Sequence, residues 1–417
     1  MSSFAAAVDR IKGNVSQAIP AAIIRRVVDV LELPTRNRIL NPVVTTHLAL
    51  ARALHGGTAI THLRHLSGVA FTPTAYCQAV KRLPEAFFGL LQILVTGRVR
   101  GDRRADRWRG HRLFLIDGSS VSMPDTPELQ RTFGQPPGQT PGCGFPVAHL
   151  LALFEARTGY LLQTVLAPLR THDLAHAAMT HAAMQPGDLL LGDRAFGSFA
   201  HLAVLRERGL HGVFRQHQRR PRGLARDRRV TYAKPRRVPS WMTAAEFAAL
   251  PESVTVREVR VTIRTPGRRV RSLVLVTTLL DRGRYPAREL ARLYETRWRV
   301  EVNLRSLKIT LGMDVLRSKT AEGVRKEVLL FGLAYNLVRR VMVAAADRQQ
   351  VPTDRISFAD AMRWLRQAKP GEEITVLVVH PERPGRFDPR VRKRRPKQYP
   401  VMKRPRPQLK QELQLAA

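Results

Sequence analysis

Between Tyr294 and Lys308 the chain sets a phenol, a guanidinium, a carboxylate and an ammonium at helical spacing: Tyr294, Arg297, Glu301 and Lys308. At about 100° per residue the four fall within an arc of roughly 60° on one face. Leu293, Val300, Leu304, Leu307 and Leu311 run beside them as an apolar stripe, the pattern of a helix packed on a core. One carboxylate therefore projects among three hydrogen-bond donors, on the line between core and solvent. Arg297 and Lys308 can neutralise phosphate charge, and the phenol of Tyr294 can donate a further hydrogen bond. Glu301 is also spaced to pair with Arg305 at i,i+4, and the helix alone leaves both uses open.

Two more carboxylates share a local design. Residues 113–116 and 189–191 are short apolar runs, the first leading into Asp117-Gly118 and the second into Gly192-Asp193. Each acid has an ordinary use, Asp117 in a turn and Asp193 as the N-cap of the helix that follows. The spacing Tyr-x2-Arg-x3-Glu-x6-Lys, however, closely resembles the signature of the bacterial cut-and-paste transposases of insertion sequence family 4. These belong to the larger Asp-Asp-Glu transposase and retroviral-integrase group. Asp193-Arg194-Ala195-Phe196 resembles the family's second motif, with Ala195 where a glycine is usual. The resemblance runs from about residue 113 to the C-terminus.

That resemblance implies a catalytic and metal-holding set of Asp117, Asp193 and Glu301. Such an all-oxygen cluster suits Mg²⁺ or Mn²⁺, and two ions together can activate water and stabilise a leaving oxygen. It implies that Tyr294, Arg297 and Lys308 hold phosphates of a DNA end, with Arg194 in the same contact set. Trp298 can stack on a base or pack half-buried, and Trp241 lies where the family can use an aromatic to hold a flipped base. The implied reaction is nicking at the element end, followed by attack of the new 3′-hydroxyl on the opposite strand and then on target DNA. The implied partners are double-stranded DNA, at element ends and target, and a second copy of the chain in a synaptic complex. Two rivals use the same residues: a decayed, non-catalytic DNA-binding repressor, and a nuclease of the same metal chemistry without strand transfer.

Composition agrees with a polyanionic partner. Seventy Lys and Arg against 33 Asp and Glu leave a formal charge of +37, mostly from Arg, which suits bidentate phosphate contacts. Hydrophobic residues make up 44% and charged residues 25%, ordinary values for a chain that builds a core. The longest apolar run, residues 328–338, is stopped by Arg339 and Arg340 and is short for a membrane span. Residues 1–8 lack the layout of a signal peptide, so a cytoplasmic protein is expected. Cys77 and Cys143 give neither a disulfide framework nor a thiolate metal site. His172, His176 and His181 are helically spaced, but nothing completes a zinc set at recognised spacing.

The elements that must position these groups read as an α/β chain in five parts. Residues 1–106 form a helical DNA-binding domain. Within it, segments 58–66 and 72–83 resemble a helix-turn-helix whose second helix presents Tyr76, Gln78, Lys81 and Arg82; a plain helical domain with a basic face fits as well. Residues 107–216 begin the catalytic core, with strands at 113–116, 149–154, 160–169, 189–191 and 212–215 and helices at 171–184 and 199–208. The resemblance makes this order a ribonuclease-H-like mixed sheet with its first and fourth strands adjacent. Residues 217–285 hold a β-rich insertion, with strands at 254–263 and 270–279 joined at Pro266-Gly267. Residues 286–370 return to the core with the glutamate-bearing helix and helices at 324–347 and 358–367. Residues 371–417 are a basic tail, read as extended at 383–410. The Gly- and Pro-rich stretch 134–144 reads as a flexible surface loop without the lysine of a phosphate-binding loop.

Overall fold

The computed structural model describes residues 19–35, 38–99, 107–169, 171, 174–217, 226–263, 271–367, 372–380 and 402–415. Among the described residues five helices come first: α1 (Ala21–Val30), α2 (Pro42–Leu54), α3 (Ile60–Ser67), α4 (Pro73–Arg82) and α5 (Glu85–Val99). The middle of the chain runs β1 (Leu113–Ser122), α6 (Pro127–Phe133), β2 (Val147–Glu155), β3 (Leu161–Pro168), α7 (Leu174–Thr180), β4 (Leu189–Gly192), α8 (Phe199–Glu207) and β5 (His211–Arg215). Then come β6 (Asp227–Ala233), α9 (Ala244–Ala249), β7 (Ser253–Ile263) and β8 (Arg271–Thr277). Helices α10 (Ala287–Glu295), α11 (Arg299–Arg305), α12 (Ala321–Gln349), α13 (Phe358–Gln367) and α14 (Arg406–Leu415) complete the described elements.

The strands join into one eight-stranded sheet in the order β3-β2-β1-β4-β5-β8-β7-β6. β1, β2 and β3 are antiparallel, β4 and β5 lie parallel to β1, and β8, β7 and β6 continue antiparallel. The expected adjacency of the first and fourth strands is present. Side chains alternate between the two faces of a strand, and both faces are buried here. Leu115, Leu189, Leu191 and Val213 enter one core, whereas Phe114, Ile116, Leu190 and Phe214 enter the other. Helices α1, α2, α5, α10, α11, α12 and α13 cover the first face, and α7, α8 and α9 cover the second.

The N-terminal helices share that first core. Ile24, Leu50, Phe87 and Leu91 belong to the same buried cluster as Leu115, Leu304 and Phe331. Helix α12 is long and apolar enough to cross a membrane, although the apolar run within it reads as short. Here it is the central core helix, and Phe331, Leu333, Ala334, Tyr335 and Val338 are all buried. Its Asn336 seals one sheet edge, accepting from the N–H of Leu161 and donating to that residue's carbonyl, each at 2.8 Å.

Several readings need correction. β1 does not stop at Ile116 but pairs with β2 as far as Ser122, so Asp117-Gly118 is strand rather than turn. β6 falls in a part of the β-rich insertion where no strand is expected. It is an edge strand whose Arg228 reaches the buried Glu258, and edge strands commonly carry charge. Tyr76 is not presented by α4: it is buried against Phe71, with ring centroids 5.7 Å apart, while Gln78, Lys81 and Arg82 are exposed. α14 is helical, and its first residues, Arg406–Lys410, fall within the segment expected to be extended. Residues 381–401 of the tail and the Pro266-Gly267 turn lie outside the described residues. In the loop at 134–144 the Gln135 amide donates to the carbonyls of Gln139 and Thr140, each at 3.0 Å, and accepts from the N–H of Gly142 at 2.9 Å.

Candidate active site

Asp117 and Asp193 are placed together by strand register. β1 and β4 run parallel with Leu115 beside Leu191, both facing the first core. Two residues further on, strand alternation sends Asp117 and Asp193 out on that same side. β1 continues with β2, whereas β4 ends at Gly192, and the sheet opens there. Gly192 is required by packing, because a β-carbon would meet the Phe196 ring at 2.8 Å and Ile116 at 3.1 Å. Asp193 does cap the 3₁₀ turn Arg194–Phe196, accepting from the N–H of Ala195 at 2.7 Å. Ala195 is not among the residues with positive φ, so alanine fits where the family usually has glycine.

That turn is held from behind by two buried histidines. His201 Nδ1 lies 2.7 Å from the Phe196 carbonyl and so carries the proton, which makes its Nε2 an acceptor. His181 Nε2 lies 3.1 Å away and donates, leaving His181 Nδ1 as the buried atom without a partner. Burial lowers both rings, to about 4 for His201 and about 2 for His181, so each is neutral. His181 thus packs behind the turn that carries Asp193, through His201. His172 lies outside the described residues, and the described residues hold no cluster of three His, Cys, Asp or Glu side chains suited to a metal.

Above the carboxylates crosses the glutamate-bearing helix, which is not one regular α-helix. After α10 it tightens to 3₁₀ at Thr296–Trp298, returns to α in α11, and widens to a π turn at Ser306–Thr310. Leu290, Leu293, Val300, Leu304, Leu307 and Leu311 pin it to the first core, as the apolar stripe predicts. Arg297 reaches inward from the tight segment. One terminal nitrogen lies 3.0 Å from Glu301 Oε1 and the other 3.8 Å from Asp117 Oδ2, with the guanidinium 5.9 Å above the Tyr294 ring centre. Glu301 therefore pairs one turn back with Arg297, not forward with Arg305.

The electrostatics record the convergence. Desolvation pushes the Asp117 carboxyl up to about 6, Arg297 and the N–H of Gly118 oppose the rise, and Asp193 and Glu301 add to it. Tyr294 is buried and pushed up to about 12; Arg297 and Arg215 hold it down, and Asp193 and Asp117 push it up. Asp193 and Glu301 thus both bear on Asp117 beside the Arg297 guanidinium, and no three acidic, His or Cys groups among the described residues stand at ion-holding spacing. The donor set is all oxygen, which fits a hard divalent ion.

Lys308, within the π turn, donates to Ser119 Oγ at 3.0 Å and pairs with Asp314 at 3.1 Å. Ser119 lies two residues beyond Asp117 on the same strand face, and the reading of β1 as ending at Ile116 hides it. Asp314 and Arg215 carry no sequence signal of their own. Arg194 is exposed beside Asp193, and Trp298 is 48% exposed on the outer side of the helix. Trp241 packs against the core of the opposite sheet face.

Comparison with known proteins follows the same line. The family described as Transposase DDE domain matches residues 108–337, a span that holds Asp117, Asp193 and the whole glutamate-bearing helix. Over 319 residues, 70% of each chain, the sequence is 26% identical to Transposase InsG for insertion sequence element IS4 of Escherichia coli (strain K12). It is 33% identical over 117 residues to Putative transposase InsZ of the same organism, covering 27% of this chain and 39% of that one. A cryo-EM structure of the piggyBac transposase synaptic complex with hairpin DNA overlays 88% of this chain on 81% of that one. The TM-score is 0.43 and the identity 10%, too loose a likeness to carry weight. With more than half of its length inside the family match, the chain belongs to the bacterial DDE transposases.

Proposed function

We propose that this DNA transposase cuts at the ends of its insertion sequence and joins the freed 3′ ends to target DNA by two-metal-ion phosphodiester chemistry. The observation that carries the reading is the convergence of Asp117, Asp193 and Glu301 where β4 ends beside β1. The strand order, antiparallel through β1, β2 and β3 and parallel through β1, β4 and β5, supports a ribonuclease-H-like core. Asp117, Asp193 and Glu301 would hold Mg²⁺ or Mn²⁺, which when bound activate water and stabilise the leaving oxygen. Arg297 and Lys308 orient phosphates of the DNA end. Tyr294, whose hydroxyl stays protonated at neutral pH, donates to them. Trp298 is exposed for stacking on a base, and Arg194 adds charge beside Asp193. The partners are double-stranded DNA and a second copy of the chain, brought together in the synaptic complex.

The test is strand cleavage of a plasmid carrying the element ends, in Mg²⁺. Asp193→Asn should fold normally and lose nicking, because a neutral amide is a poor Mg²⁺ ligand. Cleavage at the wild-type rate by that variant would refute the site. A wild-type protein that binds ends but never cuts would be a DNA-binding protein only. Cutting without joining would make it a nuclease.

A further inference from the structure

The cation at the centre of the site is part of the protein. Arg297 spans Asp117 and Glu301, and its side chain is only 17% exposed. Its grip is nevertheless loose. It touches each carboxylate through a single nitrogen, and the contact to Asp117, at 3.8 Å, is longer than a hydrogen bond. A phosphate can take the same guanidinium through two parallel bonds, a stronger arrangement. Glu301 is 37% exposed, so the pair has an open side from which a phosphate can approach. Lys308 is tied to Ser119 and Asp314, two residues outside this ring, and does not share the position.

We propose that Arg297 is a displaceable counter-ion, which excludes a divalent cation from the three carboxylates until a DNA phosphate draws the guanidinium away. Phosphate binding and cation loading are then coupled through one side chain. Without DNA the guanidinium offsets part of the carboxylates' charge and holds the space between Asp117 and Glu301, and the site is protected from stray hydrolysis. With DNA in place Arg297 changes partner, and the same carboxylates are left with uncompensated negative charge. The inference rests on the metal-holding role proposed above for Asp117, Asp193 and Glu301.

The experiment is a Mn²⁺ titration of the full chain followed by electron paramagnetic resonance of free Mn²⁺. It is run with and without a short duplex, whose own Mn²⁺ uptake is measured separately. Without DNA, Arg297→Ala and the uncharged hydrogen-bonding variant Arg297→Gln should each bind Mn²⁺ on the order of tenfold or more tightly than wild type. The duplex should tighten Mn²⁺ binding in wild type and do so much less in either variant. Unchanged or weaker DNA-free binding in both variants would overturn the proposal. Asp193→Asn separates this from failure of the metal site itself: Mn²⁺ binding equal to its parent, with DNA, would discard the metal reading whatever Arg297 does.

Discussion

Arg297 and Glu301 sit one helical turn apart yet should act in opposite ways on DNA. The phosphate backbone repels Glu301 unless a cation lies between them, and it attracts Arg297. Glu301→Gln is expected to abolish cutting while leaving end binding in EDTA unchanged or tighter. Arg297→Ala should weaken that binding by about 1–3 kcal/mol and lower its salt slope by about one. Gel shifts in EDTA at two salt concentrations, paired with nicking in Mg²⁺, measure both. Normal nicking by Glu301→Gln would reduce the residue to a structural ion-pair partner. These groups were legible in the sequence because helical spacing and apolar striping constrain a helix face strongly. Ser119 was not, because Gly118 and the serines after it look like a turn, and only pairing with β2 keeps them in a strand. Ala195 could be judged only from the backbone: the dihedral at 195, not the motif, says that a β-carbon is tolerated.

At the level of elements, the turn that carries Asp193 leans on the His201–His181 pair. Both imidazoles are neutral in the fold, and both take up protons near pH 6.5 when the chain unfolds. Below that pH the unfolded state binds more protons, so stability is fully present above about 6.5 and is lost as the pH falls toward 4. For His201 alone the loss should reach about 2–3 kcal/mol. Thermal melts from pH 7 to 4 should show this decline, and His201→Gln should flatten it; an equally steep decline in the variant would assign the effect to other groups. The buried strands β4 and β5 could be read from short apolar runs alone. β6 could not, since an edge strand has one free side and needs few apolar residues. The 3₁₀ and π segments of the glutamate-bearing helix were equally hidden, because local propensity does not report a change of pitch imposed by packing.

Across the whole molecule, the net charge of +37 and the α/β class were plain in composition and period, but the unity of the core was not. Ile24, Leu50 and Phe87 share a cluster with Leu304 and Phe331, contacts far apart in the chain. Removing residues 1–99 should therefore cost cooperative unfolding rather than release a working catalytic fragment. The role of the N-terminal helices is better tested on the exposed side chains of α4. Replacing Gln78, Lys81 and Arg82 by Ala should leave the melting temperature within a few degrees and reduce the preference for element ends over unrelated DNA, measured by competition binding. Full retention of that preference would locate end recognition elsewhere. One joint between these regions has a mechanical consequence. Gly312, at φ +93°, ends the glutamate-bearing helix against Gly56, where a β-carbon would stand 3.2 Å from the Gly56 Cα. The helix is clamped there backbone to backbone, and its other end is set by the core under α10. A rod fixed at both ends cannot slide, so any misfit between its length and the gap must be stored within it. The π turn at Ser306–Thr310 is a place where such a misfit can be taken up, a wider turn just past the carboxylate the helix carries.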